Sequence, residues 1–260
     1  MKKTFSLLCV LVLFTQSLHA FQIPVADYMK RGDDFAAQFN HRQALEQYES
    51  VLNMDTGNYE AAWKASRELS AIGNNLEETA EAEEIEATYA RAVEMAQKGI
   101  SLDSNGVDAH FYMAVAKGRL GLYKGKKEMI QLSKDVKIHV DQVLALDKDY
   151  YKAYYLIGRW HDKIANVNWI LKQFAKIIYG GLPPASNEEA LENFRTAIRL
   201  NPEYVECHKE LGRFYMDRKE WASAVEVLET CLTLPETEEH DARFKREAAE
   251  LLNEARGKVR

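Results

Sequence analysis

The sequence predicts an all-α fold: a superhelix of about five helix hairpins, interrupted by a long helical insertion and closed by a C-terminal capping helix. Three observations predict it. Apolar residues make up 47% of the 260 positions, enough to bury a core. Only 13 Gly and 5 Pro are present, too few for a turn-rich β architecture. Above all, a short pattern of small and apolar residues recurs at fixed offsets along the chain, the mark of a repeat protein.

The pattern is fullest in NPEYVECHKELGRFYMDRKEWASAVEVLETCLTLP, residues 201–235. Leu211-Gly212, Tyr215, Ala224 and Leu228 fall at the offsets of a tetratricopeptide repeat. The physical reason is a close helix crossing. Gly212 lets the first helix of the hairpin approach the second, Ala224 is the small residue facing it, and Tyr215 and Leu228 fill the space around the contact. One hairpin cannot bury both its apolar faces, so several must stack.

The second half of the pattern recurs four more times. Ala190, Phe194, Ala197 and Pro202 are spaced 4, 3 and 5 apart, and so are Ala44, Tyr48, Val51 and Thr56. Ala92, Ala96, Gly99 and Ser104 keep that spacing, as do Val136, Val140, Val143 and Lys148 in a weaker copy. In the first halves, Gly32 stands 12 residues before Ala44, and Ala114, Gly158 and Gly212 each follow a turn position by 10. Around Trp63 and Ser66 the register is ambiguous by one. The hairpins therefore run over about 25–58, 59–106, 107–150, 151–204 and 205–238. Residues 239–258 form an amphipathic cap, with Leu251 and Leu252 on its apolar side.

Three insertions break the spacing. IGNNLEETAEAEE (72–84) is acidic and favours helix. LGLYKGKKEM (120–129) carries Lys124, Lys126 and Lys127 with two Gly and reads as a solvated loop. The largest separates Gly158 from Ala190 by 32 residues where 12 is standard. It contains WILKQFAKIIYGGLPP, residues 169–184. Ile164, Val167, Ile170, Leu171, Phe174, Ile177 and Ile178 make a wide helical stripe along 163–179. Lys163, Lys172 and Lys176 flank it, and two Gly and two Pro end it. Read first, this helix extends the preceding one and packs against its neighbours. Two alternatives are a lid over the groove and a helix on a membrane surface, with Trp169, Lys172, Phe174 and Lys176 as the residues involved.

The first 20 residues differ in kind. Lys2 and Lys3 precede the apolar run FSLLCVLVLF (5–14), and Ala20 offers a small residue before Phe21. This is the layout of a secretory signal peptide, too short an apolar run to span a bilayer. Export to a periplasm or cell envelope is the expectation, with no stable transmembrane segment after cleavage. Without Lys2 and Lys3 the basic count falls from 34 to 32 against 40 acidic residues, a net charge of −8. That balance excludes a general nucleic-acid binder. Cys207 and Cys231 then remain, and are read as small buried helix residues, with a disulfide as the alternative in an oxidising compartment.

IGRWHDKIANVNWILKQFAKIIYGGLPPASNEEALENFRTAIRLNPEY (157–204) resembles the central signature of the regulator of microtubule dynamics family. The shared features are a Gly-Arg-Trp, a long helix, a Gly…Pro-Pro break and a Glu-Glu-Ala-Leu helix start. LPETEEHDARFKREAAELL (234–252) is similar as well, and weaker similarity reaches back to about residue 85. The resemblance implies an all-α tetratricopeptide domain, no catalytic residues and an interaction role. Family members are linked with microtubules, and some with membrane contact sites and lipid handling. A chain that opens on a signal peptide departs from the cytoskeletal setting, so the fold and the insert carry over and that function does not.

In such a superhelix the first helix of each hairpin lines the concave surface, through repeat positions 2, 5, 9 and 12. Position 5 holds Trp63, Phe111, Tyr155 and then Lys209. Position 9 holds Arg159 and Arg213, with Arg67 nearby in the second repeat, and Lys152 stands at position 2 of the fourth. The predicted groove is aromatic in the middle and basic toward its C-terminal end. It suits a ligand with an anionic head and an apolar body, because Arg grips a carboxylate or phosphate through two parallel hydrogen bonds. The competing reading packs the aromatics into the core and pairs the arginines with Glu on adjacent helices.

No short catalytic or metal motif is present: no HExxH, no Cys-x-x-Cys, no phosphate-binding loop. His110, His139, His161 and His208 lack a ligand partner at i+3 or i+4. The acidic run 77–86 reads as a solvated helix face. The expectation is a non-enzymatic scaffold with no cofactor and no metal. Its groove binds a protein or peptide partner, or, alternatively, a lipid or other apolar small molecule.

Overall fold

A computed structural model describes residues 24–259. The expected signal peptide lies outside the described residues. The described residues form twelve helices: α1 (Val25–Ala36), α2 (His41–Met54), α3 (Tyr59–Leu76), α4 (Ala82–Leu102), α5 (Val107–Leu120), α6 (Lys126–Leu146), α7 (Tyr151–Ala165), α8 (Trp169–Tyr179), α9 (Asn187–Leu200), α10 (Val205–Asp217), α11 (Trp221–Thr233) and α12 (Asp241–Arg256). The hairpins are α1/α2, α3/α4, α5/α6, α7/α9 and α10/α11, each stacked on the next, and α12 covers α10 and α11. The architecture is the all-α tetratricopeptide-like superhelix that the repeat predicts.

Close crossings carry the repeat. A Cβ on Gly212 would collide with the Leu228 side chain, and one on Gly32 with the Tyr48 ring. Ala44, Tyr48, Val51, Ala92, Ala96, Val140, Val143, Ala190, Ala197, Ala224 and Leu228 are fully buried. In the second hairpin Ser66 takes the glycine's place, and its Oγ donates to the Ala92 carbonyl at 2.8 Å. That contact fixes the register left ambiguous at Trp63 and Ser66. Cys207 and Cys231 are buried and unpaired, each thiol against a backbone carbonyl at 3.6 Å.

The insertions are mostly helix. Residues 72–84 prolong α3 and open α4. The 120–129 segment is not the solvated loop expected. Only 121–125 form the turn, and Lys126 and Lys127 lie in the first turn of α6. Lys124, within that turn, pairs with Glu86 of α4.

The largest insertion corrects the sequence reading most. Residues 163–179 are not one helix extending α7. The chain leaves α7 at Ala165, and Asn166 Nδ2 donates back to the Asp162 carbonyl at 2.7 Å. Asn168 then caps a new helix by accepting from the Leu171 amide at 2.9 Å. α8 does not pack into the core. Trp169 is 71% exposed and Ile177 78%, and among its described side chains only Ala175 is buried. Gly180 and Gly181, with φ of 71° and 105°, stop the helix in a conformation that favours glycine. Ser186 caps α9, accepting from the Glu189 amide at 3.1 Å, and α9 takes its place beside α7.

The superhelix also curls back on itself. The 234–240 segment between α11 and α12 reaches helices of the first two hairpins. Glu239 Oε2 lies 2.8 Å from His41 Nε2, and Asn75 Nδ2 donates to Glu239 Oε1 at 3.1 Å. Asn74 Nδ2 lies 2.8 Å from His240 Nε2, and Arg243 pairs with Glu78 at 3.1 Å.

Candidate functional site

The first helices of the hairpins face the inside of the curl, and between α5, α6, α7 and α8 they leave a cavity of about 480 Å³. Phe111, Tyr112, Val115, Leu156, Trp160 and Ile164 belong to its apolar wall, together with residues of α6 such as Met129, Ile130 and Val136. Val167, Leu171 and Leu182 close one edge, so the insertion borders the cavity through its first turn and its exit, while Trp169, Ile170 and Ile177 face solvent. Lys152, Arg159, Glu206 and Glu238 lie at the rim.

The predicted aromatics serve packing and cavity together. Phe111 and Tyr155 are buried in the core, yet each presents an edge to the cavity. Phe111 packs on Tyr150 with ring centroids 4.9 Å apart. Trp63 is half-buried and stacks on Tyr112, 5.7 Å between centroids and 4° between planes. Tyr112 was not singled out in the sequence, because position 5 of its repeat is Phe111 and the stack joins position 5 of one repeat to position 6 of the next.

The predicted cations are held unequally. Arg67 Nε donates to Glu68 at 2.6 Å and its guanidinium sits 5.3 Å above the Trp63 ring. Lys152 pairs with Glu238 at 2.8 Å. Lys209 pairs with Glu210 at 2.9 Å and Glu247 at 3.1 Å, and Arg213 pairs with Glu210 as well. Arg159 differs. Its Nη1 donates to the Tyr155 hydroxyl at 3.2 Å, and no carboxylate forms a salt bridge with it among the described residues. Its pKa is raised, first by the neighbouring Tyr155 and then, against the cost of burial, by Glu210 and Glu206, so it stays charged beside the cavity. Sequence reasoning missed the acids Glu68, Glu210 and Glu238. They sit outside the groove positions, and nothing periodic announces a buried carboxylate.

Glu68 is 1% exposed and holds His41 Nδ1 at 2.6 Å as well as Arg67. His41 therefore lies between Glu68 and Glu239. Burial alone would lower its pKa; the hydrogen bonds to Glu68 and then Glu239 outweigh that and raise it above 6.5. A raised imidazole pKa gives stability that is complete below the unfolded value and is lost as pH rises through the folded one. The urea midpoint of the wild type accordingly falls between pH 6.5 and pH 9, and that of His41→Gln stays flat in the same window. A wild-type midpoint that rises across this range overturns the assignment.

Among the described residues no group of three or more His, Cys, Asp or Glu is placed to hold a metal ion. No described helix is long and apolar enough to cross a membrane. Chemically, the arrangement offers an aromatic slot bordered by a guanidinium that no described carboxylate pairs with directly, suited to holding an anionic group next to apolar surface.

The profile of the family described as Regulator of microtubule dynamics protein 1-3 matches residues 26–256. Regulator of microtubule dynamics protein 3 of Bos taurus is 27% identical over 197 residues, which are 73% of this chain and 40% of that protein. Its counterpart in Xenopus laevis is 26% identical over 183 residues, 70% of this chain and 39% of that one. The chain thus spans about two fifths of those relatives' length. Regulator of microtubule dynamics protein 1 of Bos taurus is 25% identical over 255 residues, 96% of this chain and 77% of that protein. Among solved structures, a thermophilic tetratricopeptide-repeat protein of Thermus thermophilus superposes with a TM-score of 0.64 at 12% identity, covering 88% of this chain and all of that one.

Proposed function

The chain belongs to the regulator of microtubule dynamics family, and on that premise we propose that its tetratricopeptide-like fold, a protein-binding scaffold, takes a peptide segment of a partner protein in the groove between α5, α7 and α10, without catalysis. Arg159 carries the reading. It borders an aromatic cavity with no carboxylate in salt-bridge range among the described residues, Glu206 and Glu210 acting on it from farther off, so its free donors can take an acidic group of the ligand. A charge-assisted hydrogen bond of that kind contributes about 1.5–3 kcal/mol. Arg159→Ala should weaken binding of a fluorescein-labelled acidic peptide at least tenfold by anisotropy, with the melting temperature little changed. Binding that survives loss of both Arg159 and Arg213 sinks the groove assignment.

The cavity itself favours a second reading. Its volume of about 480 Å³ exceeds the roughly 300 Å³ at which small-molecule sites begin, and its wall is aromatic. An apolar small molecule or lipid would fit there with its anionic head on Arg159 and with Val167, Leu171 and Leu182 along its edge. Native mass spectrometry of protein prepared without detergent separates the two. A bound mass that leaves on solvent extraction supports the apolar ligand; the bare chain mass supports the peptide. Export is also proposed, on the basic and apolar runs of residues 2–14.

A further inference from the structure

We infer that the groove's partner is an acidic peptide with adjacent carboxylates, and that the chain's own 236–240 segment, Glu-Thr-Glu-Glu-His, occupies part of that partner's site. The inference rests on the peptide-binding reading above and names the chemistry of the peptide.

The segment behaves as a resident ligand. It bridges the concave side from α7 to the ends of α2 and α3 through side chains rather than packed apolar surface. Glu238 reaches Lys152 at 2.8 Å. The next residue, Glu239, reaches His41 at 2.8 Å and Asn75 at 3.1 Å. His240 reaches Asn74 at 2.8 Å. Two successive carboxylates are thus received by groups from three different helices. Lys152 and Glu238 both line the rim of the cavity that Arg159 also borders, so an acidic peptide entering the groove meets the same cation.

The Glu238 contact is of a displaceable kind, whereas Glu239 is held more deeply against His41. The Glu238 side chain is 41% exposed, and ion pairs that open to water hold weakly. The flanking helices do not depend on them. α11 and α12 are anchored by buried Leu228, Cys231, Ala248 and Leu252. The start of α12 is fixed locally, because Asp241 accepts from the Thr237 and Glu238 amides at 2.8 and 2.7 Å. The Glu238 and Glu239 side chains can therefore turn away from their partners while those backbone bonds keep the segment and the cap in place.

The test uses the full chain and a fluorescein-labelled peptide of residues 235–240, PETEEH, with its all-glutamine counterpart as control. Glu238→Gln/Glu239→Gln empties the site, and Glu226→Gln/Glu250→Gln, two exposed positions away from the groove, matches the charge change. The expected result is weak binding of PETEEH to the wild type and to the charge-matched variant. The emptied variant binds at least tenfold tighter, and adding Lys152→Ala removes that gain. A charge-matched variant that gains as much as the emptied one overturns the inference, and so does equal binding of the all-glutamine peptide. If wild type and emptied variant bind PETEEH equally and Arg159→Ala weakens both, the resident-ligand inference falls while the groove reading stands. If no variant binds PETEEH, both fall.

Discussion

Replacing Glu210 with glutamine is expected to lower the free energy of unfolding by about 3 kcal/mol at pH 7. Glu210 is 5% exposed, and its carboxylate is shared by Lys209 at 2.9 Å and by Arg213. Burial by itself disfavours its ionised form. Arg159, Lys209 and Arg213 together outweigh burial and bring its pKa from 4.5 down to about 2. A shift of that size corresponds to about 3 kcal/mol of differential stabilisation, within the range for removing one partner from a buried ionic group. Glutamine keeps the shape and one acceptor, so what is lost is charge. The pH dependence identifies the cause. A depressed carboxylate pKa contributes stability above the unfolded value that disappears as pH falls through the folded one. The gap between wild type and Glu210→Gln, read from urea midpoints, is therefore full at pH 7, shrinks from about pH 4.5 downward and closes near pH 2. A gap that persists at pH 2 means the variant has lost packing rather than charge.

The hairpins were legible because close helix crossings need small residues, and small residues at fixed offsets can be counted. Gly32, Gly212 and Ala224 announce a crossing wherever they recur. The C-terminal cap was legible for a related reason: α12 has Leu252 buried on one side and charges on the other. The insert was legible only as an apolar stripe. Periodicity says that a helix has an apolar face, not what that face meets. In the insert the decision belongs to Asn166 and Asn168, whose local hydrogen bonds end α7 and begin α8 as a separate helix. The closure of the superhelix left no sequence signal. His41 and Glu239 are 198 positions apart, and nothing periodic links them. The same holds for the site. Arg159 could be singled out because it occupies a repeat position, whereas Tyr112, Glu68, Glu210 and Glu238 take their places through neighbours in three dimensions.

Phe194→Ala and Ile177→Ser make the contrast between core and insert measurable. Both residues sit on strongly apolar helix faces, and a reading of periodicity ranks them alike. Phe194 is 1% exposed. Its ring lies 6.4 Å from that of Tyr155 and 5.9 Å from that of Phe214, and it presses so near Gly158 that a Cβ there would sit 3.0 Å away. Truncation removes the ring from between α7, α9 and α10, and those helices can close the gap only partly. A loss of about 3–5 kcal/mol follows, a large share of the roughly 5–15 kcal/mol that holds a domain folded. Tyr155 loses its support in the same step, so Arg159, which is hydrogen-bonded to it, should also lose its orientation toward the cavity. Ile177 is 78% exposed and has little to lose. Its change to serine should move the free energy of unfolding by less than about 0.5 kcal/mol. Thermal or urea unfolding of the two variants decides the matter. If Ile177→Ser costs as much as Phe194→Ala, α8 is packed in solution, and the packed helix read from the sequence is restored. If the costs differ as expected, Ile177 and the exposed part of the α8 apolar face that it represents add little to the stability of the free chain.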